Sequence, residues 1–321
     1  MTSHKLSTFS YGKDDVRVLR IVRSPEDPSS QQIIEYTVQV LLGGNSLTTS
    51  YTEADNSKVV ATDTVKNTIN LLAKKCTAEQ ILCPEKYALV IINHFITTYS
   101  HIENVFVDLK KSKWTRIVLE KSGPHKHSFV KDGNEIRTVC AIGSRNSQGK
   151  AIVDSIKGGI KDLVVLKSSG SAFYGFWRDE YTTLQEVNDR IFSTSVECEY
   201  DTDVPKDALS TLLESSSKLP PFCDIQRAAI QHILTLFSTH SSPSVQATQY
   251  QTSLAILDDT TCKAVSQVSL TMPNRHYIPI DLKWAGLENL KPDKAEVFLP
   301  SAHPSGLIKS TVIRGDGKAR L

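Results

Sequence analysis

Tyr51-Thr-Glu-Ala-Asp55-Asn-Ser-Lys-Val-Val60-Ala-Thr62-Asp63-Thr-Val-Lys66-Asn67 is the stretch that decides the fold, because extended chain gives way to helix here. From Val65 the apolar residues recur as Val65, Ile69, Leu72 and Ala73, a 3.6-residue period that predicts a helix to about Lys74. Thr62 and Asp63 then occupy its N-terminal turn. Free backbone N–H groups and the positive end of the helix dipole gather there. The turn is therefore either a plain cap, for which Thr and Asp are common, or a seat for an electron-rich ligand.

Upstream, Val16, Val18 and Val22 alternate with Arg17, Leu19, Ile21 and Arg23, and after a Pro-containing turn Ile34, Tyr36, Val38, Val40 and Leu42 alternate again. This predicts an antiparallel strand pair. Downstream, Pro84 opens a second helix with the stripe Tyr87, Val90, Ile91, Phe95 and Thr98. Val105, Val107 and Leu109 return to period two, and Ile117 with Leu119 continue it, giving the order β-β-α-α-β-β. The second half reads the same way. Strands are expected at 163–167 and 191–200, then a Ser- and Pro-rich insertion at 204–221 and a helix over 225–237. A further helix follows with Ser242 as cap and Pro243 at its first position, and strands close the half at 264–270 and 276–282. Gly, Ser, Asn and Gln cluster in 143–150, which places the boundary between domains 1–145 and 146–321. The class is α+β. Each half would be a four-stranded antiparallel sheet with two helices on one face, and nothing in the chain is left to cover the other face or the sheet edges. Closed barrels of several subunits are the simplest physical answer.

The 321 residues suffice for two cores, and a net charge of +2 from 37 basic and 35 acidic residues argues against nucleic acid as the partner. No apolar run approaches the roughly 20 residues of a membrane span, and residues 1–13 lack a signal-peptide core, so the chain is expected inside the cell. Six scattered cysteines form no C-x-x-C pair, and His125 and His127 are the only close pair among nine histidines. Reduced thiols and no metal site are expected. Neither a G-x-G-x-x-G nor a G-x-x-x-x-G-K-[ST] phosphate cradle occurs.

Five further places look unlike scaffold: Lys13 beside Gly12, the aromatic run Ser171 to Leu184, Arg190, Val245-Gln246 in a first helical turn, and Asn274-Arg275-His276 after Pro273. Each has a bland reading as a solvated charge, core or turn. Together with longer strings they are similar to one family. Those strings are Tyr11-Gly-Lys-Asp, Ser50-Tyr-Thr-x-Ala-Asp-Asn-Ser57, Val60-Ala-Thr-Asp63, Lys66-Asn-Thr68, Phe176-x-Arg-Asp-Glu-Tyr-Thr-Thr-Leu184, Asp189-Arg-Ile191, Ser244-Val-Gln-Ala-Thr248, Pro273-Asn-x-His-Tyr277 and Ala295-Glu-Val-Phe298. The chain resembles the urate oxidases, cofactor-free enzymes built from tandem tunnelling-fold domains.

The resemblance implies oxidation of urate by dioxygen to 5-hydroxyisourate and hydrogen peroxide, without cofactor or metal, in a barrel-like homotetramer with sites at subunit interfaces. It implies Arg190 and Gln246 as pincers on urate, Phe173 stacked on the ring, and Leu184 and Val245 as pocket walls. Thr62 and Asp63 would reach the ring's edge from a neighbouring subunit. Lys13, Thr62 and His276 would relay protons, and Asn274 would hold dioxygen or water above the ring. A pterin-acting enzyme of the same fold would anchor its ring on a carboxylate instead, and a non-catalytic purine binder would not need the relay. The 204–221 insertion and the His125-Lys126-His127 loop have no assignable role. The chain ends Lys318-Ala319-Arg320-Leu321, similar to the S-K-L address read by the peroxisomal import receptor, so a peroxisomal location is expected.

Overall fold

The computed structural model describes residues 4–301 and 303–315. The chain forms two compact units, one of Met1–Gly159 with Asp201–Cys223, the other of Ile160–Tyr200 with Asp224–Leu321. Both are mixed helix and antiparallel sheet.

In the first unit, β1 (Tyr11–Arg23), β2 (Gln31–Gly43), β3 (Asn104–Leu119) and β4 (Gly123–Arg145) pair in that order, all antiparallel. Between β2 and β3 come α1 (Thr48–Thr52), α2 (Thr62–Lys75), α3 (Ala78–Leu82) and α4 (Pro84–Thr98). The alternation in β2 puts Ile34, Tyr36, Val38, Val40 and Leu42 on the helix-covered face, and the stripe Val65, Ile69, Leu72 and Ala73 of α2 packs in the same core. Full burial of side chains of this size contributes roughly 1.5–3 kcal/mol each. The phenols of Tyr36 and Tyr87 stack in that core 5.6 Å apart, and each hydroxyl donates to a backbone carbonyl, Ile81 O and Ile69 O respectively. Arg20 of β1 donates to Ala73 O and Cys76 O, satisfying carbonyls at the end of α2 where the helix dipole is negative. Helix α3 opens with a capping box between Thr77 and Gln80, and α4 carries Pro84 in its first turn.

Two expectations for this unit are corrected. The segments 105–109 and 117–119 are one strand, β3, and the fourth strand is β4, which the hydrophobic pattern had not revealed. Its helix-facing positions are Arg137, Val139, Ala141 and Gly143, one charged and two small, so period two does not show as an apolar alternation. The 204–221 insertion contains α5 (Leu209–Glu214), whose Leu209 and Leu212 are fully buried in the first core.

The strands β5 (Ala151–Lys167) and β6 (Phe192–Thr202) each run from one unit into the other, and β5 begins twelve residues ahead of the predicted strand. The second unit holds most of α6 (Phe222–Thr239), then α7 (Val245–Asp258), β7 (Val265–Pro279), β8 (Phe298–Ser301) and β9 (Leu307–Ile313). The two strands expected at 264–270 and 276–282 are one. β7 pairs with β9 as far as Pro273 opposite Leu307, and with β8 from His276 opposite Ser301. Proline, which has no N–H to give a ladder, sits where the strand changes partner.

In both units the sheet face away from the helices carries apolar residues in water. Leu19 is 59% and Leu166 48% exposed. Among the described residues no helix is long and apolar enough to cross a membrane.

Helix and sheet of the first unit are also joined by a buried ion pair. Arg137 Nη2 of β4 donates to Glu85 Oε1 and Oε2 of α4 at 2.7 and 2.6 Å, with the two side chains 9% and 1% exposed. Glu85→Ala leaves the guanidinium without its carboxylate, and the expected cost is about 3 kcal/mol of unfolding free energy, read as a lower urea midpoint at unchanged slope.

Candidate functional site

Three of the candidate residues lie in the first unit. Lys13 stands opposite Val40 just before a bulge, and the register resumes at Val16 opposite Val38 after Asp15 has taken φ 53°. The preceding Gly12 has no alternative, since a Cβ there would lie 1.8 Å from Val40 O. One residue earlier, the Tyr11 hydroxyl accepts the N–H of Val60 at 2.7 Å, so the segment entering α2 is tied to the strand that bears Lys13.

Helix α2 begins at Thr62, with Ala61 as its cap residue and no side chain accepting from its first turn. Thr62 is therefore not a cap. The first helical bond is Val65 N to Ala61 O, and the earlier amides stay available at the positive end of the dipole. The exposed Thr62 hydroxyl makes no hydrogen bond among the described residues. Asp63 accepts from Lys66 Nζ at 2.5 Å and Asn67 Nδ2 at 2.8 Å. Lys66 holds its carboxyl below the ordinary range, and the Lys13 ammonium adds to the effect, so Lys13 and Asp63 share one local field.

The other candidates lie in the second unit. Between β5 and β6 the chain runs mostly without regular structure, and backbone bonds hold it. Phe173 and Val187 exchange both N–H···O bonds at 2.8 and 3.0 Å. Arg190 N donates to Ser171 O, Ala172 N to Ser242 O and Ser242 N to Gly170 O, at 2.8, 2.8 and 3.1 Å. Phe173, Arg190 and the approach to α7 are thus laced to a single short segment.

The Phe173 ring stacks on Phe176 at 4.9 Å, and the guanidinium of Arg190 lies over Phe173, 5.3 Å from its centroid. Burial lowers the pKa of Arg190, and its Nε is buried without a hydrogen-bond partner among the described residues. An unpaired buried donor on a cation costs more than the typical 1–3 kcal/mol for a neutral group.

Helix α7 begins at Val245, and its cap is Ser244, whose Oγ accepts Ala247 N at 3.1 Å. This corrects the expected Ser242-Pro243 start. Ser242 is instead buried, exchanging backbone bonds with 170–172 and touching Thr248 Oγ1 at 2.7 Å, which leaves Pro243 outside the helix. Val245 is buried, while the Gln246 amide is exposed with no hydrogen bond among the described residues. Leu184 is half exposed, and its carbonyl accepts from Arg178 Nη1 at 2.7 Å. Asn274 and His276 share one face of β7 by their spacing of two, at the point where that strand changes partner. Asn274 N donates to Gly306 O at 2.7 Å.

The structure thus groups Lys13, Thr62 and Asp63 around the start of α2, and groups Phe173, Arg190, Val245 and Gln246 around the start of α7. Two supports went unread in the sequence. Asp189 accepts from Ser169 Oγ and Gly170 N, each at 2.7 Å, and the Ser169 hydroxyl leads in holding its carboxyl below the ordinary range. Tyr11 pins the start of α2. Both stood inside the resembling strings, but a lone Asp in a loop or a Tyr at a strand end has no periodic signature of its role.

A stacked ring, a half-buried guanidinium with a free donor and an amide at a helix start have the chemistry to hold a flat heterocycle with hydrogen-bonding edges. The chain matches the family model described as Uricase over residues 9–141 and 156–309. It is similar to the uricase of Cyberlindnera jadinii, 41% identical over 312 residues covering 97% of this chain and 98% of the relative. It is likewise similar to that of Aspergillus flavus, 41% identical with 97% of both covered. The crystal structure of uricase from Arthrobacter globiformis superimposes with a TM-score of 0.82 at 29% identity, covering 99% of this chain and 98% of that one. The chain belongs to the uricase family.

If Asp189 fixes the turn that presents Arg190, Asp189→Ala frees the Gly170 amide. Solvent screening keeps the loss near 1 kcal/mol, so hydrogen exchange at Gly170 should quicken about fivefold while the β7 amides stay unchanged.

Proposed function

We propose that the protein oxidises urate with dioxygen, giving 5-hydroxyisourate and hydrogen peroxide as a step of purine breakdown. The observation that carries the reading is Arg190, a half-buried guanidinium held over the Phe173 ring with its buried Nε unpaired among the described residues. A planar purine anion supplies what this arrangement lacks. It takes the face of Phe173 that Phe176 covers in the free chain, accepts parallel N–H bonds from Arg190 at a carbonyl oxygen and a ring nitrogen, and presents a donor and an acceptor to the Gln246 amide. Leu184 and Val245 wall the pocket.

Thr62 and Asp63 complete the site from a neighbouring subunit, where the uncapped first turn of α2 offers amides to the anion's other edge. Lys13, Thr62 and His276 carry protons between substrate and solvent, and Asn274 positions dioxygen above the ring. The conjugated urate dianion is itself the electron donor. Two electrons and two protons pass to dioxygen to give hydrogen peroxide, and water adds the hydroxyl at the oxidised ring carbon. The protein's part is deprotonation, orientation and a shielded oxygen site, with no cofactor.

This site requires an assembly. We read the chain as two tandem β-β-α-α-β-β halves, 1–145 and 146–321, of the tunnelling-fold kind, joined in a barrel-like homotetramer. The exposed apolar residues on the sheet face away from the helices, Leu19 and Ile21 among them, support that reading, because a single chain leaves them in water. The location proposed is the peroxisome, through Ala319-Arg320-Leu321, which lie outside the described residues. Catalase there would remove the peroxide at its source.

With urate in air the expected result is loss of urate with peroxide formed in equal amount; under nitrogen urate should persist. Urate disappearing without oxygen would overturn the mechanism. The shared site has its own test. Thr62→Ala and Arg190→Ala subunits, each inactive, should regain part of the activity when unfolded and refolded together, and proven hybrids without activity would place both residues in one subunit's site.

A further inference from the structure

Beside the Glu85–Arg137 pair lie two thiols that the urate site does not use. Cys83 caps the start of α4 and Cys223 sits in the first turn of α6. Cys83 Sγ donates to Glu85 Oε2 at 3.3 Å and Arg137 Nη1 reaches Cys223 Sγ at 3.5 Å, so both sulfurs touch the same ion pair, near enough for each to shift the other's ionisation. Arg137 Nη2 contacts Phe222 O at 3.3 Å, and Lys111 Nζ donates to Leu82 O at 3.0 Å beside the same cluster. The Arg137 charge beside Cys223 favours its thiolate. Hydrogen bonding from Cys83 and the Arg137 charge both push the Cys223 thiol down, whereas Cys83 is pushed up by its place as donor and by burial. One sulfur is prepared as nucleophile and its neighbour as reserve. The other buried cysteines differ. Burial pushes Cys76, Cys198 and Cys262 up to about 11, 12 and 11.

We propose that Cys83 and Cys223 are a peroxide-oxidised dithiol, in which the Cys223 sulfur reacts first and Cys83 resolves it to a disulfide. In the first step the Cys223 thiolate attacks one oxygen of hydrogen peroxide. The O–O bond breaks, an S–O bond forms, sulfur gives up two electrons, and hydroxide leaves to become water. The Cys83 thiol then loses its proton and attacks that sulfur; the S–S bond forms, the S–O bond breaks, and the hydroxide leaves as a second water. Two thiols and one peroxide give one disulfide and two waters. The bridge would join the α3–α4 corner to the start of α6, fixing the end of the 201–223 segment on its own unit. Only the origin of the peroxide in urate turnover rests on the function proposed above.

The test uses the full-length protein, reduced and desalted, then treated with a small molar excess of hydrogen peroxide. Thiols are blocked under denaturing conditions and peptides are mapped without reduction. The expected product is a peptide pair linked through Cys83 and Cys223, with Cys76, Cys198 and Cys262 still fully alkylated. Cys83→Ser should instead trap a sulfenic acid at Cys223, detected as a dimedone adduct. Full alkylation of Cys83 and Cys223 after peroxide, or earlier oxidation of the three control thiols, would overturn the proposal, and neither readout depends on a variant folding. A parallel sample turns over urate in air, with and without catalase. A disulfide formed by added peroxide but not during turnover would leave the dithiol standing and count against the peroxide-yielding reaction.

Discussion

A carboxylate and a guanidinium taken out of water together hold the first unit in its arrangement. Glu85 comes from the first turn of α4, Arg137 from the helix-facing side of β4, and the same guanidinium reaches the carbonyl of Phe222 at the start of α6. Leucine and methionine of similar volume could fill this space with equal or greater stability, since desolvation consumes most of the Coulombic gain. Apolar contacts, however, tolerate sliding. A guanidinium nitrogen held between both carboxylate oxygens does not, and it fixes which turn of α4 meets which residue of β4. The rest of the helix layer, including the position of α2 over β1, follows from that alignment and from Arg20 closing the end of α2.

The second unit solves its positioning problem differently. The residues that would meet a flat ligand lie in a long irregular segment, where no ladder or helix imposes geometry. Its order comes from paired backbone bonds at Phe173 and Val187, from Ser171 and Ser242, and from the Asp189 carboxylate gripping Ser169 and Gly170. Phe173 and Phe176 stack between two guanidinium groups, Arg190 on the first ring and Arg178 on the second. The loop is thus stiffened by polar bonds to itself and to the start of α7, which lets exposed side chains such as Gln246 and Leu184 stand in water without loosening the frame.

Elements with a strong period were legible from sequence and those without were not. Val65, Ile69 and Leu72 announced α2 to within a residue, and the alternation from Ile34 to Leu42 announced β2. β4 escaped because its inward positions include Arg137 and Gly143, whose reasons for burial are a distant carboxylate and a close backbone approach. β8 and β9 escaped because one is four residues long and the other sets two inward apolar residues, Ile308 and Val312, apart by Lys309, Ser310 and Thr311 while Leu307 and Ile313 face outward. Among the site residues, resemblance supplied the roles and single residues did not, since Lys13 or Arg190 taken alone has the composition of any surface cation. The relation between Cys83 and Cys223 could not be read at all. They are separated by 140 positions, and only the place of Phe222 and Cys223 in the first core, beside the start of α4, makes them neighbours.

Helix α2 starts without a side-chain cap although Ser and Asp stand within a few residues of it, and its entrance is held by the Tyr11 hydroxyl instead. A helix left open in this way is incomplete as a folded object. Under the proposed reading, the anion from the adjoining subunit's pocket supplies the missing acceptors, so substrate occupancy and local folding are linked. Ligand that favours the closed turn adds RT ln(1 + [L]/Kd) to its stability, and loss of ligand returns those amides to water. Under the same reading, the Tyr11 hydroxyl is what holds the entrance of α2 between turnovers.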